Sequence, residues 1–364
     1  MTVDLHIVGG FLGSGKTTAI IGAARHLMDQ GKKVGVVTND QGRYLVDTAF
    51  FQTLDVPAVE VTGGCFCCNY DDLEGQLAHL RDTVRPDVIF AESVGSCADI
   101  VATVVKPLLT LRGSDLPAPS SFSVFTDARL LRRRVLGMPM PFSDDVVYLF
   151  DKQIEEAGML VVNKRDLLAD EHLESMLSVL EARYPGKALR LQNSLDLADL
   201  RGWVRAMEFG EAAPPAESLE MDYERYGAGE AALAWLDEAL IFTVPEHTGG
   251  MVVHRLVAAL LNRLQQSSMT IGHLKLLVKG GEGEEAKLSF PTLEIEDWQR
   301  GIPALTGTSL TVLLNARVEA SAQELHGLVH EVVTALTAEL QVTAQVLDVA
   351  YFHPPMPNPT HRLP

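Results

Sequence analysis

Four short stretches hold residue types whose spacing can do chemistry, and the first is GFLGSGKTT at positions 10 to 18. It fills the pattern of Gly, four residues, Gly-Lys and a hydroxyl residue with Gly10, Gly15, Lys16 and Thr17. Glycines let such a loop fold tightly enough to aim successive amide N–H groups at phosphates, and the helix that follows adds partial positive charge. Lys16 is placed to reach the outer phosphates and Thr17 to offer its hydroxyl to Mg2+, with Gly13, Ser14 and Thr18 completing the cradle. The second stretch is Asn163-Lys164-Arg165-Asp166. A carboxylate at Asp166 can accept from both the N1–H and the 2-amino group of guanine, which adenine cannot offer, while Asn163 holds the other polar edge of the ring. Asn193 and Ser194 are placed to cover the base from a later loop.

The third stretch is Glu92-Ser93-Val94-Gly95, an acidic residue at the end of an apolar strand. The fourth is Cys65-Phe66-Cys67-Cys68 after Gly63-Gly64, which holds three of the four cysteines. Partners so close in sequence make poor disulfides, so the cluster reads as ligands or redox thiols, with buried apolar cysteines as the remaining alternative. Zn2+ favours four tetrahedral ligands with thiolates among the best, and three cysteines leave a fourth position open for exchange. Cys97 reads either as a small buried thiol at a helix start or as a fourth thiolate supplied when the loops close.

The elements that must position these residues alternate. Strands at Leu5 to Val8, Lys33 to Thr38, Ala58 to Thr62, Asp87 to Ala91, Ser121 to Thr126, Met159 to Val162 and Ala188 to Gln192 are interleaved with helical patterns, including Thr18 to Gln30, Asp71 to Val84, Ala98 to Leu111 and Asp144 to Ala157. This predicts an α/β, doubly wound, mostly parallel sheet over residues 1–210, with ligands at the carboxyl ends of its strands. A short helix near Asp47 to Leu54 follows the loop Asn39-Asp40-Gln41-Gly42. Residues 211–238, with Pro214-Pro215, Gly227 and Gly229, read as a linker. Residues 239–352 predict a smaller α+β, ferredoxin-like domain with helices at Gly249 to Gln266 and Ala322 to Leu340. The proline-rich stretch 353–364 is expected to be extended or loosely packed.

A length of 364 residues suits two domains, and a formal charge of −18 argues against nucleic-acid or anionic-membrane partners. The basic run Arg132-Arg133-Arg134 reads as a solvated helix face. No apolar run is long enough to span a bilayer and no cleavable leader is recognisable at Met1, so a soluble cytoplasmic protein is expected.

The ordered set GFLGSGKTT, GCFCC at 64 to 68, ESVG at 92 to 95 and NKRD at 163 to 166 resembles the CobW-like family of P-loop GTPases, related to the HypB and UreG metallochaperone GTPases. The resemblance implies a GTP-dependent metallochaperone or cofactor-assembly helper, a slow and partner-regulated GTPase using GTP, Mg2+ and Zn2+ or Co2+. It implies phosphate and Mg2+ contacts for Lys16 and Thr17, a place for Glu92 at the Mg2+ and water side, guanine contacts for Asn163 and Asp166, and metal ligation by Cys65, Cys67 and Cys68. It also implies a client metalloenzyme or corrinoid protein, with the oligomeric state open and a dimer among the options. The loop at Asn39-Asp40 departs from the family's usual Asn-Glu, and a histidine-rich metal-buffering tract is missing among the 11 scattered histidines. The competing reading is a nucleotide-dependent switch that gates a partner and keeps zinc only as a structural clasp. A kinase is disfavoured by the guanine motif and by the lack of a recognisable arginine-bearing lid.

Overall fold

The computed structural model describes residues 3–39, 46, 51, 54, 56–111, 113, 116–281, 283–293 and 297–364. By contacts the chain divides into two compact units. One takes in the described residues up to 39, those from 51 to Gly229, and Met356–Pro364; the other takes in Val46 and Glu230–Pro355.

The first unit is built on seven strands: β1 (Asp4–Gly10), β2 (Val34–Asn39), β3 (Ala58–Val61), β4 (Val88–Glu92), β5 (Pro119–Asp127), β6 (Met159–Asn163) and β7 (Ala188–Gln192). They lie in the order β3-β2-β4-β1-β5-β6-β7, every neighbouring pair parallel. Such a sheet must be covered on both faces, and its central strands are accordingly apolar on both sides. Helices α1 (Lys16–Asp29), α2 (Tyr70–Thr83), α3 (Lys106–Thr110), α4 (Ala128–Val135), α5 (Asp144–Glu156), α6 (Asp170–Arg183), α7 (Leu197–Glu208) and α8 (Tyr223–Ala232) surround it. Ala19, Ile20, Ala23, Ala24 and Leu27 of α1 recur at helical spacing and pack with Val8, Val36, Phe90 and Phe125 of the sheet and Trp203 of α7 in one core cluster. Trp203 satisfies its ring N–H on the Ser123 hydroxyl at 3.1 Å.

Two expectations are corrected here. Residues 223–232 are helical rather than linker, because Gly227 and Gly229 act in close packing: a side chain on Gly227 would strike Met356, and one on Gly229 would strike the Asp145 carbonyl. The stretch expected as one helix from Ala98 to Leu111 is a widened π turn, Val101–Val105, followed by the short α3. Pro107 has no N–H to give in the normal ladder, and the Lys106 N–H bonds back to the Val101 carbonyl instead. The basic run of α4 is also only partly a solvated face, since Arg134 pairs with Asp151 of α5 at 2.7 Å.

The second unit has β8 (Leu233–Thr243), α9 (Gly249–Gln266), β9 (Thr270–Lys279), β10 (Glu285–Pro291), β11 (Ser309–Glu319), α10 (Ala322–Leu340) and β12 (Thr343–Phe352). Its antiparallel order is β10-β9-β11-β8-β12, a split βαβ arrangement with β10 added at the edge beside β9. Ser321 and Glu324 form a reciprocal capping box that starts α10. Strand β8 begins six residues earlier than Ala239, where the sequence pattern placed it. Trp235, Asp237 and Glu238 blur the apolar alternation there, and Asp237 is held by Arg317 at 2.8 Å inside the sheet. Among the described residues no helix is long and apolar enough to cross a membrane.

The π turn covers a buried carboxyl. Glu156 at the end of α5 is fully enclosed and accepts from the Val101 N–H at 3.3 Å. Burial pushes its pKa up from 4.5 to about 8, with the Asp99 charge adding and the N–H groups of Val101 and Ile100 opposing. Between those two values the folded protein holds a proton that the unfolded chain has lost, so stability is full below the lower value and falls as pH rises toward the upper. The slope for one such proton approaches about 1.4 kcal/mol per pH unit. Glu156→Gln keeps the acceptor and removes the titration, so urea denaturation between about pH 5 and about pH 8 should show a flatter stability profile than the parent. A slope equal to the parent's would assign the proton to another group.

Candidate functional site

The loop after β1 is held in a conformation that only glycine allows. Gly10, Gly13 and Gly15 have φ of 126°, 68° and 93°. A side chain on Gly10 would strike the Phe125 backbone, and one on Gly15 would strike the Asn163 amide. The turn delivers Lys16 and Thr17 as the first residues of α1, with no side-chain cap consuming the helix's leading N–H groups. Lys16 is buried with its ammonium folded back on the carbonyl oxygens of Gly10 at 2.7 Å and Phe11 at 3.3 Å. Thr17 donates its hydroxyl to Glu92 Oε1 at 2.9 Å, bringing the first and third motifs to one point. The Ser14 hydroxyl is buried with no hydrogen-bond partner among the described residues. A phosphate oxygen would supply that partner, and the paired oxygens of Thr17 and Glu92 are the hard donors that Mg2+ takes.

The second motif lies at the end of β6, two strands from β1. Asn163 is enclosed and bonded on three sides: Nδ2 donates to the Ser14 carbonyl at 2.7 Å, and Oδ1 accepts from the Ser194 N–H at 3.0 Å and hydroxyl at 2.8 Å. It therefore splices the phosphate loop to the loop after β7, using one of the two N–H donors of its amide. Lys164, with φ of 60°, reaches the Gly13 carbonyl at 2.6 Å and Asp127 at 3.0 Å. Burial alone would raise the Asp127 carboxyl, but the hydrogen bond from Arg129 and the charge of Lys164 outweigh it and hold the group below its ordinary range. Asp166 stands exposed on the short turn Arg165–Leu167, with no hydrogen-bond partner among the described residues. Leu167 on the same turn and Leu195 on the loop after β7 are 47% and 82% exposed. Asn193 turns its side chain inward on the loop, accepting from the Leu195 N–H at 2.9 Å.

The cysteine turn follows β3 at the same edge of the sheet. The Cys65 carbonyl accepts from the N–H groups of Cys68 at 3.1 Å and Asn69 at 2.9 Å, which curls the three thiols together within 4.8 Å of one another. Cys65 and Cys67 are buried and Cys68 half-buried. Cys65 and Cys67 sulfurs are 2.7 Å apart, and those of Cys67 and Cys68 3.8 Å. The turn is gripped by Asn39 at the end of β2, which donates to the carbonyls of Val61 at 3.1 Å and Gly64 at 2.8 Å and accepts from the Phe66 N–H at 2.9 Å. Cys97, from the segment after β4, is buried and hydrogen-bonds to the Cys65 and Cys67 thiols. Hydrogen bonds from Cys67, Cys68 and Cys97 pull the Cys65 thiol well below its ordinary value against the opposing effect of burial. The same bonds, with burial, push Cys67 well up, and the bond to Cys65 pushes Cys68 to about 11. Three thiols so placed are a donor set that a soft divalent cation can enter by displacing protons.

Several participants were not foreseen. Asn39, expected in a loop, ends β2 and clasps the cysteine turn, and Asp127 carries no sequence signal beyond a carboxylate at a strand end. The stretch 353–364, expected to be extended or loosely packed, has no helix or strand but is tied to the site. Thr360 donates its N–H to the Cys67 carbonyl at 2.8 Å and its hydroxyl to the Cys68 carbonyl at 3.1 Å. The His361 ring meets Tyr70 edge-on at 5.0 Å, and Arg362 pairs with Asp99 at 2.7 Å. The expectations for Asp40-Gln41-Gly42 and for most of the helix near Asp47 fall outside the described residues.

The family model described as CobW/HypB/UreG, nucleotide-binding domain, matches residues 4–189, just over half of the 364-residue chain. A zinc chaperone CobW from a Sinorhizobium species is 27% identical over 208 residues, covering 51% of this chain and 57% of the relative. The zinc chaperone YeiR of Escherichia coli (strain K12) is 28% identical over 178 residues, covering 47% of this chain and 49% of the relative. The chain thus spans about half the length of these two relatives. A urease accessory protein, UreG 1 of Streptomyces griseus, is 30% identical over 216 residues, with 55% and 80% covered. The crystal structure of HypB from Helicobacter pylori in complex with nickel aligns at 17% identity and a TM-score of 0.43, covering 60% of this chain and 92% of that one. Through its nucleotide-binding domain this chain belongs to the CobW/HypB/UreG family.

Proposed function

We propose that this protein binds and hydrolyses GTP and carries a transition metal, zinc in the first place, on Cys65, Cys67 and Cys68, handing the ion to a client metalloprotein as the nucleotide changes. The observation that carries the reading is the convergence of two sites on one sheet edge: Thr17 bonded to Glu92 at the end of β4, and Asn39 at the end of the adjacent β2 gripping the cysteine turn. Lys16 would leave the Gly10 and Phe11 carbonyls to meet the β- and γ-phosphates, and the uncapped start of α1 would add its N–H groups. Mg2+, when bound, would add positive charge at those phosphates, held by Thr17 and Glu92. Water then displaces GDP from the γ-phosphorus, leaving GDP and inorganic phosphate. A lysine that must first exchange protein partners suits a slow, partner-regulated turnover. Co2+ is the alternative cargo by ligand softness.

The competing reading, a nucleotide switch with a structural zinc, draws support from the burial of Cys65 and Cys67. Linkage separates the two. If metal and GTP favour the same closed state, each must raise the affinity of the other by one common factor, typically about 5 to 150-fold. Paired titrations of zinc and of a GTP analogue should show that reciprocity, whereas equal zinc affinity with GTP analogue and with GDP would discard delivery in favour of the structural clasp.

Two substitutions test the base site. Asp166→Asn should weaken GTP by roughly 2 to 5 kcal/mol, as for a charged hydrogen bond truncated at one partner, and should raise relative preference for xanthosine triphosphate. Unchanged GTP binding would remove Asp166 from the base. Asn163→Ala should act before any ligand is present, because it strands the Ser14 carbonyl and the Ser194 N–H in the interior at a cost of roughly 1 to 3 kcal/mol each. Urea denaturation of the nucleotide-free variant reads this directly. Parent-like stability would mean that the splice between the two loops contributes little.

A further inference from the structure

We propose that Cys97 supplies a fourth thiolate to the metal site, and that the segment Met356–Pro364 clamps the Cys97 loop against the Cys65-Cys68 turn. The inference rests on the metal-carrying reading and specifies its ligand set. Cys97 lies 32 residues beyond Cys65 in a different loop, yet its thiol hydrogen-bonds to both Cys65 and Cys67 and is 1% exposed. Its backbone is fixed on both sides. The Cys97 N–H bonds to the Val94 carbonyl at 3.1 Å, the Cys97 carbonyl accepts from the Gln153 amide at 2.8 Å, and the next N–H, at Ala98, meets the Tyr226 hydroxyl at 3.2 Å. Gln153 also holds the Gly95 carbonyl at 3.0 Å. A buried glutamine and a buried tyrosine thus hold the backbone on either side of the thiol, more fixation than a merely space-filling cysteine calls for.

The distances among the three clustered thiols suit a tetrahedral site into which Cys97 closes as the fourth. Zinc–sulfur bonds of about 2.3 Å in a tetrahedron put sulfurs about 3.8 Å apart. Cys67 and Cys68 already stand at 3.8 Å, and Cys65 and Cys67, at 2.7 Å, need only open to admit an ion. The clamp is the second observation. Thr360 holds the carbonyls of Cys67 and Cys68, while Arg362, two residues on, holds Asp99, two residues after Cys97. Asp99 is further fixed by the Tyr223 hydroxyl at 2.8 Å, and the Leu363 N–H bonds to the Ala102 carbonyl at 2.9 Å. One short strap therefore joins the two cysteine-bearing loops. Cys97 also stands five residues after Glu92, so a shift of Glu92 on nucleotide exchange would move this ligand first. The other three cysteines would then keep hold of the ion while the fourth position opens to a client.

The test is anaerobic and uses the full chain. Zinc-loaded parent protein examined by X-ray absorption should give four sulfur neighbours at about 2.3 Å; three sulfurs with one lighter atom would overturn the assignment. With Co2+ in place of zinc, Cys97→Ser should lose roughly a quarter of the thiolate-to-metal charge-transfer intensity, four thiolates becoming three. A band of equal intensity and position in Cys97→Ser, beside a weakened one in Cys67→Ser, would return Cys97 to simple packing. If the parent protein gives no thiolate–cobalt band at all, the metal-carrying reading itself fails, a distinct result. Arg362→Ala should leave the cobalt band in place but speed transfer of zinc to a chromophoric chelator, and an unchanged transfer rate would remove the clamp.

Discussion

The hydrogen bond from Thr17 to Glu92 is the contact on which the arrangement of the site depends. It closes the gap between the start of α1 and the end of β4, so the hydroxyl and the carboxylate form one feature. The strand pairing makes that closure a matter of register: Val8 of β1 lies opposite Glu92, and the Ser93 N–H bonds back to the Val8 carbonyl at 2.9 Å. Everything after Glu92 inherits the position, through Gly95 and Cys97 held by Gln153 to Asp99 held by Tyr223 and Arg362. The end of β4 therefore has a short covalent path to Cys97, with bonded partners at each stage. It needs no transmission through the hydrophobic core, where close packing would resist small displacements.

Two buried asparagines do the local positioning, and both do so with three protein hydrogen bonds. Asn163 ties the phosphate loop to the loop after β7, and Asn39 ties the end of β2 to the cysteine turn. In a low-dielectric interior a fully satisfied amide fixes geometry, whereas a half-satisfied one is expensive. Asp166, exposed and unbonded among the described residues, is left as the group that faces outward.

Charge is arranged on the same principle. The chain carries a formal net charge of −18, while the thiol cluster is largely buried, so a cation held there would be chosen by softness and geometry rather than by field. Burial of Glu156 beneath the π turn, close to Asp99, shows the opposite solution: there burial outweighs the Val101 and Ile100 N–H groups and the charge of Lys187, and the carboxyl is pushed toward its protonated form.

Much of this was written in local sequence. The phosphate loop, the strand–helix alternation of the first unit, the helices Gly249–Gln266 and Ala322–Leu340 and the clustering of Cys65, Cys67 and Cys68 all depend on neighbours a few residues apart, where periodicity and glycine placement act directly. Tertiary structure decided what distant residues do for one another. It turned a supposed linker into a helix because glycines there meet Met356 and Asp145, and it brought Cys97 onto the Cys65-Cys67 pair from another strand end. It also laid Thr360 on Cys68 across 292 positions of chain. Those contacts satisfy buried carbonyls, carboxylates and thiols, and a buried polar group takes whichever partner the fold brings within about 3 Å, a choice that no local pattern encodes.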